Sequence, residues 1–469
     1  MNRQRGTLAV VCLATAMLML DIAVVNTALS QIAKDLDAGL SGLQWVVDAY
    51  TLALASVVLN AGSLADRFGR RRLFSGGMAL FGVSSAACAL AGNIAVLDAS
   101  RAVQGIAGAA LFATSLAILA DAFRAPTERM GALAAYGATI GASFAVGPVV
   151  GGALTSAFGW RSVFLINIPL AVAGLVATAA WVRESRDPNF RPVDWAGQIT
   201  LTGGLFLLVL ALLRGNQDGW GSRAIVAELA GAAVLLAAFA VAELRGRAPM
   251  LPPQLFRRPD FTTAQLSAAA ISASFFAVFL YLTLYLQQVL HLSPIEAGAV
   301  YLPGSAIIFV VSGASAQLAG RVQPATMIVA GLVLVAAGLA LMTIAGEGSS
   351  WTAILPGEIL AAVGTGLFNP AVSGMALGAA PAHQSGLAAG VNDTFRQAGI
   401  ALGVAFFGTL VPSEAVIGNA GAAAYVDGLH HALYAGAGIA LAGAIVSAVL
   451  MSTRRTATAP AAAPALDRA

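Results

Sequence analysis

The sequence predicts an all-α polytopic membrane protein: six helices, an inserted pair and six more, with both termini cytoplasmic. Three observations lead there. Of the 469 residues 58% are hydrophobic and only 10% are charged, with a mean hydropathy of +0.83. A soluble globular chain carries roughly 25% charged residues, so a surface this poor in charge must face lipid. Apolar runs close to the ~20 residues needed to cross the hydrocarbon also recur along the whole chain. Finally, the basic residues gather in alternate links between those runs, the bias that orients membrane proteins.

Taking the elements in order, polar links and Gly/Pro breaks place spans near 7–30, 43–64, 73–93, 96–121, 131–157, 163–183, 195–214, 222–243, 261–290, 295–319, 324–345, 352–379, 385–412 and 428–452. The first run follows Arg3 and Arg5 as a secretory leader would. No small-x-small cleavage site follows it promptly, and the apolar run resumes after Asp21, so it is read as an uncleaved span. With the N-terminus inside, nineteen of the twenty-five basic residues fall in inward links. Outward links hold only Lys34, Arg161, Arg214 and Arg223, while Arg101 and Arg396 lie within spans. One missed span would scramble that alternation. Two longer charged links, 184–194 and 244–260, bracket spans seven and eight. The chain therefore divides into a bundle at 1–183, linkers plus the inserted pair at 184–260, a second bundle at 261–452, and an Ala/Pro-rich tail at 453–469 expected to be disordered. A short repeat supports two equivalent bundles: Gly313, Gln317, Gly320 and Arg321 echo Gly62, Asp66, Gly69 and Arg70 at the inner end of a second span.

Composition excludes other classes. A net charge of +3, with the basic residues confined to links, gives no nucleic-acid face. Cys12 and Cys88 sit in apolar runs and make neither a disulfide framework nor a metal set. The neighbours His430 and His431 would point apart on a helix and are read as a solvated loop pair. Phosphate loop, zinc spacing and nucleophile triad are all missing from the sequence. No cofactor is expected, and energy must come from a gradient rather than ATP.

The densest cluster of charge is Gly62-Ser63-Leu64-Ala65-Asp66-Arg67-Phe68-Gly69-Arg70-Arg71-Arg72-Leu73, five charges between two apolar stretches. Its order of small residue, acid, base, turn glycine and basic cluster resembles the loop between the second and third spans of the major facilitator superfamily of secondary transporters. Further stretches agree. Leu18 to Ser30, with Asp21 and Asn26, is similar to the first-span signature of the fourteen-span drug:proton antiporter branch, although that signature ends in proline where this chain has Ser30. Arg101-Ala102-Val103-Gln104-Gly105 resembles the buried-arginine motif, and Gly147-Pro148-Val149-Val150-Gly151-Gly152 the antiporter signature of span five. Trp160-Arg161 to Asn167-Ile168-Pro169, Leu292-Ser293-Pro294 and Gly390 to Gly399 extend the likeness over about residues 18–410.

Each candidate residue carries two readings. Asp21 lies mid-span, where a carboxylate costs roughly 2.5–3.5 kcal/mol on insertion scales. It is a proton site or cation anchor on one reading and a helix–helix hydrogen bond on the other. Arg101 keeps its charge; it either tunes a nearby acid or glues spans one and four. Asp48 and Glu358, each about a turn and a half into a span, are vestibule acids that recruit cations or plain interfacial caps. Asp393 and Arg396, three apart, share a helix face as an internal ion pair or as coupling groups. Phe276, Tyr285 and Gln288 belong to an aromatic and amide-rich span nine that suits flat lipophilic cations, though aromatics in spans more often pack or face lipid. Gly147, Pro148, Gly151 and Gly152 bend span five and let a neighbour approach closely. Asp66 either pairs across the bundle interface as an inner gate with Gly62, Arg67, Gly69, Arg70 and Arg71, or belongs to a topology anchor.

The resemblance implies a proton-coupled antiporter of a bacterial cell membrane. It would work as a monomer and export lipophilic, cationic or amphipathic drugs or antibiotics by alternating access. Its partners would be the small-molecule substrate, protons and the bilayer. An importer or symporter on the same fold is the first rival, opposed by the Gly-Pro signature. A membrane scaffold or sensor is the second, opposed by the lack of a soluble signalling domain.

Overall fold

The computed structural model describes residues 3–123, 125–186, 193–246, 249–251, 253–318, 321–380, 385–412 and 421–458. Among them there is no strand. A helix, or a run of helices with a short break, occupies each of the apolar windows. They are α1 (Arg3–Asp35), α2 (Leu40–Phe68), α3 (Arg70–Ala89), α4 (Ile94–Ala122), α5 (Pro126–Phe158) and α6 (Ser162–Trp181, broken at Ile166). The inserted pair is α7 (Trp195–Asp218) and α8 (Arg223–Arg245). Then follow α9 (Pro259–Val289), α10 (Pro294–Val300 and Leu302–Leu318), α11 (Pro324–Met342), α12 (Leu355–Gly378), α13 (Ser385–Gly408) and α14 (Ala422–Thr458).

Local chemistry sets the helix starts. Asn93, Asp194 and Ser222 accept backbone N–H groups at the heads of α4, α7 and α8, each satisfying a donor the helix itself cannot. Ser293 and Glu296 form a reciprocal capping box at α10. Proline occupies the first turn of α5, α9, α10 and α11, where its missing N–H costs nothing. Gly69 separates α2 from α3 at φ +113°, a conformation only glycine adopts without strain.

Among the described residues eleven helices are long and apolar enough to cross a membrane, or twelve if the bent α5 counts as one span. The expected fourteen is not reached by this measure, because α3 and α13 fall short. The first opens on three arginines and small residues, and the second carries Asp393 and Arg396. Two other expectations change. The last helix starts at Ala422, so His430 and His431 are helical rather than in a loop: His430 Nε2 bonds the Ala345 carbonyl at 2.7 Å while His431 is exposed. That helix also runs through Thr458, into the stretch expected as a disordered tail, whose remainder lies outside the described residues. In the short repeat, Gly320 and the Gln317 side chain lie outside them too.

Helices α1–α6 pack among themselves, as do α9–α14, and the two groups meet along α2 against α13 and α5 against α10. The inserted pair lies outside this seam, with α7 against α2 and α13 and α8 almost wholly against α7. One end of the bundle carries the Gly62–Leu73 link and is called the link end; the other is the far end. Among the described residues, the hydrogen bonds between the two groups all lie toward the far end. Gln44 Nε2 donates to the Tyr281 hydroxyl at 2.7 Å and to the Val404 carbonyl, Gln287 Nε2 to the Thr27 carbonyl at 2.9 Å, and the Ile295 N–H to Ser156 Oγ at 3.2 Å.

Candidate functional site

A cavity opens where the two groups meet. From the first half it is lined by Ile22, Ala23, Asn26 and Thr27 of α1, Val47 and Thr51 of α2 and Pro148 of α5. The second half contributes the rings of Phe275, Phe276, Phe279 and Tyr301 and the carboxyl of Glu358. The aromatic side is a connected set: Phe275 meets Phe276 and Phe279 edge-on with centroids 5.5 and 5.2 Å apart, and Phe279 lies 4.9 Å from Tyr301. Phe275 and Phe276 lie where α9 departs from α-helical winding, in a π-helical turn at Ser272–Phe276, and a second such turn follows at Tyr285–Val289. Such turns widen a helix locally and re-aim its side chains. Glu358 is 4% exposed, and its Oε2 has no hydrogen-bond partner. Buried carboxyl oxygens ordinarily have partners, and this one, on the cavity wall, has none.

Asp21 does not line this cavity. It faces the interior of the first half, wholly buried, with Arg101 Nη1 at 2.5 Å from its Oδ2. Gln104 Nε2 and Asn167 Nδ2 donate to its Oδ1 at 2.9 and 2.8 Å. Arg101 is held in turn by the Val46 carbonyl at 2.9 Å and by Gln104 Oε1 at 2.7 Å, and its guanidinium stacks 4.3 Å from the Tyr50 ring. Ser85 bonds both Gln104 and Asn167, which closes the network over α1, α2, α3, α4 and α6. A buried ion pair holds only when its remaining donors and acceptors are largely met, and here both Asp21 oxygens and the Arg101 Nε and Nη1 groups have partners. The place of Asp21 as a substrate anchor is therefore corrected by geometry: one turn of α1 puts Ile22 and Asn26 in the cavity and Asp21 on the opposite side.

The other candidates separate in the same way. Asp48 is fully buried in α2 and both its oxygens lack partners, yet it sits off the cavity wall. Asp393 and Arg396 do not form the ion pair their spacing allows. Asp393 Oδ2 is buried without a partner, while Arg396 turns to Asn369 Oδ1 at 3.4 Å and over the Phe276 ring at 5.5 Å. Tyr285 leaves the cavity altogether and donates to the Gly346 carbonyl at 2.8 Å. Gln288 is half-buried with its Oε1 unpartnered, and its neighbour Gln287 is the residue that bridges the halves. Asn26 reaches the cavity while its amide bonds the Ile22 carbonyl one turn back.

Span five behaves as its glycines and proline require. The segments Ala135–Ser143 and Val146–Phe158 of α5 meet at 43°, with Pro148 just beyond the bend, where its ring opposes the carbonyl four residues back. A side chain on Gly147 would strike Ala23, and one on Gly151 would strike Val24 and Thr27 of α1; on Gly152 it would strike Pro294 and Ile295 of α10. One helix thus presses against both halves through a face without side chains.

In the charged link, Asp66 takes Arg70 of its own segment, with Nε and Nη2 donating to Oδ1 at 3.0 and 2.8 Å. The expected reach of Asp66 across the interface is not made among the described residues. Arg67 stacks on Phe68 at 5.1 Å, and Gly62 is unencumbered. Sequence reasoning missed the clamp on this link. Glu184, just past α6, accepts the Arg71 backbone N–H at 3.1 Å and lies 3.8 Å from Arg72, and the Ser185 carbonyl accepts the Arg70 N–H at 2.9 Å. It missed as well the roles of Gln104 and Asn167, whose signal was the presence of amides inside apolar spans.

The profile of the family described as Major Facilitator Superfamily matches residues 11–404. The chain belongs to that superfamily. Among its curated relatives is the multidrug resistance protein Stp of Mycobacterium tuberculosis, 37% identical over 415 residues, which cover 88% of this chain and 76% of the relative. The puromycin resistance protein pur8 of Streptomyces alboniger is 35% identical over 460 residues, 95% of this chain and 91% of that one. The tetracenomycin C resistance and export protein of Streptomyces glaucescens is 34% identical over 419 residues, 88% and 77%. A solved peptide transporter in complex with sulfate superposes with a TM-score of 0.69 at 17% identity, covering 96% of this chain and 94% of its own, and shows the shared fold. As a member of the Major Facilitator Superfamily the chain is a multi-pass membrane transporter rather than an enzyme, and these curated relatives are bacterial drug and antibiotic resistance proteins.

Proposed function

We propose that this transporter is a proton-coupled exporter of lipophilic, cationic or amphipathic small molecules, drugs and antibiotics among them, across a bacterial cytoplasmic membrane. The observation that carries the reading is the unpartnered carboxyl of Glu358 among the rings of Phe275, Phe276, Phe279 and Tyr301, in a cavity between the halves. A carboxylate beside aromatic faces suits an apolar cation. The names of the relatives support export. The charge bias of the links supports an orientation with the link end and both termini in the cytoplasm and each of the fourteen helices crossing once. In that orientation the Gln44–Tyr281 and Thr27–Gln287 bonds seal the outside, and the cavity is approached from within.

Coupling runs through Asp21. Protonating it removes the charge that holds Arg101, and Arg101 also grips the Val46 carbonyl of α2. Because Ile22 and Asn26 on the same helix line the cavity, a shift of α1 transmits proton binding to the substrate without direct contact between the two. The α5 seam, closed against α1 and α10, is the hinge on which the halves rock. The proton gradient is the energy source, no cofactor is needed, and the monomer is the working unit.

The test uses inverted membrane vesicles with an acidic lumen. Wild type accumulates a lipophilic cation; Asp21→Asn inserts normally and accumulates none. Undiminished accumulation by that variant removes Asp21 from coupling, and uptake only in right-side-out vesicles makes the protein an importer.

A further inference from the structure

The inserted pair takes no part in the cavity, yet at the link end it brings two acids face to face. Asp194 caps α7, its Oδ1 accepting the Gly197 N–H at 2.8 Å. Its backbone carbonyl accepts from Nδ2 of Asn60 on α2 at 3.3 Å, and the same amide donates to Gln198 Oε1 at 2.6 Å. Glu243, in the last turn of α8, is 6% exposed. Its Oε2 accepts the Leu251 N–H at 2.9 Å. The two remaining oxygens, Asp194 Oδ2 and Glu243 Oε1, are buried and have no donor. They lie close to each other beside Gly197 at the head of α7. Both also press on one spot, for a Cβ on Gly197 would stand 2.6 Å from Asp194 Oδ2 and 2.9 Å from Glu243 Oε1.

An ionised carboxylate is an acceptor only, so two of them bond only through a proton held between them. With both ionised, the contact is repulsive. We propose that Asp194 and Glu243 share one proton, forming a proton-binding site at the link end that fastens the α8–α9 linker to α2. The groups facing the pair are the N–H of Gly197 from α7, those of Met250 and Leu251 from the linker, and the Asn60 amide from α2 at the Asp194 carbonyl. Among the described residues no basic side chain pairs with either acid, and Arg245, two residues on, is exposed. The protonated pair completes a chain from Asn60, two residues before Gly62, through Asp194 and Glu243 to Leu251. Beyond Leu251, buried Leu255 and Phe261 belong to the same apolar cluster as residues of the first half. Loss of the proton puts two charges in that space and releases the linker that leads into α9, which carries the cavity's rings. The inserted pair thereby becomes a sensor of proton activity at the link end, separate from the coupling assigned to Asp21.

Two variants test this in the full-length protein in lipid. Asp194→Asn keeps the cap, because asparagine caps as well as aspartate, and Glu243→Gln keeps the shape. In either, an amide N–H replaces the shared proton. Infrared difference spectra against wild type should show each variant losing the same protonated-carboxyl carbonyl band. Hydrogen exchange around Leu251 in wild type should accelerate about tenfold per pH unit beyond the intrinsic rise while the closed pair still holds the proton that the opened pair has lost, and level off once the closed pair loses it too; in Glu243→Gln the excess should vanish. A spectrum in which neither variant loses a carboxyl band overturns the shared proton. Equal excess exchange in Glu243→Gln and wild type overturns its hold on the linker. Both measurements repeated in the Asp21→Asn background read the site even if coupling fails, so the two readings stand or fall separately.

Discussion

Asp21 of the first half and the buried acids of the second are held in opposite ways. Asp21 in the first half has a cation at 2.5 Å and two amide donors, while Glu358 and Asp393 in the second each keep a buried oxygen without a partner. Asp21 is locked into a network over five helices, so a change in its charge must move helices. Glu358 lies on the cavity wall and makes no demand on its neighbours, so its charge is left for whatever enters. One sequence thus holds a partnered carboxyl, Asp21, and an open one, Glu358, and the difference is whether a fixed cation stands beside the carboxyl.

The sharpest way to break this comparison is to remove the cation. Arg101→Ala leaves Asp21 buried and uncompensated and should cost about 3–5 kcal/mol, seen as a lowered melting temperature in detergent; Asp21→Asn added to it should restore most of the loss. If the single variant melts like wild type, the lock is not a lock. Asp21→Asn alone keeps its amide neighbours and should fold, yet lose at least about tenfold in pH-driven efflux, ~1.4 kcal/mol in the coupled step. Glu358→Gln should weaken transport of a monovalent cation about tenfold, ~1.4 kcal/mol, and leave a neutral substrate of the same shape unchanged. Equal losses for both would make Glu358 a packing residue. Phe276→Ala should cost the same cation about 0.5–2 kcal/mol in binding, measured by fluorescence quenching of a dye substrate. The smallest effect on stability falls in the charged link: the Asp66–Arg70 pair is partly exposed and worth about 0.3–0.5 kcal/mol. Asp66→Asn should therefore melt as wild type does, and a slower turnover in the same protein would show that the link gates rather than merely anchors.

What was legible in the chain follows from the range of the forces involved. A helix is a local object, and runs of apolar residues bounded by Gly, Pro and charge marked its existence at every window. Cost also marks depth, so Asp21, Arg101, Asp48, Glu358 and Asp393 stood out as ionisable groups inside apolar runs. Their partners did not. Asp393 and Arg396 share a helix face, yet Arg396 finds Asn369 and Phe276 instead. Tyr285 and Phe276 are on one helix, but nine residues put them on opposite faces, so that Phe276 meets the cavity and Tyr285 bonds the Gly346 carbonyl.

The sequence by itself determined a helical, lipid-facing transporter chain, the place of its charged link, the bend in α5 and the short list of costly acids. Each of these depends on residues within a turn or two of one another. Only the tertiary structure decided which acid is paired and which is open, that the cavity's aromatic wall comes from α9 and α10, and that Asp194 meets Glu243. Those outcomes depend on helix rotation, and a rotation is fixed by contacts between segments far apart in the chain.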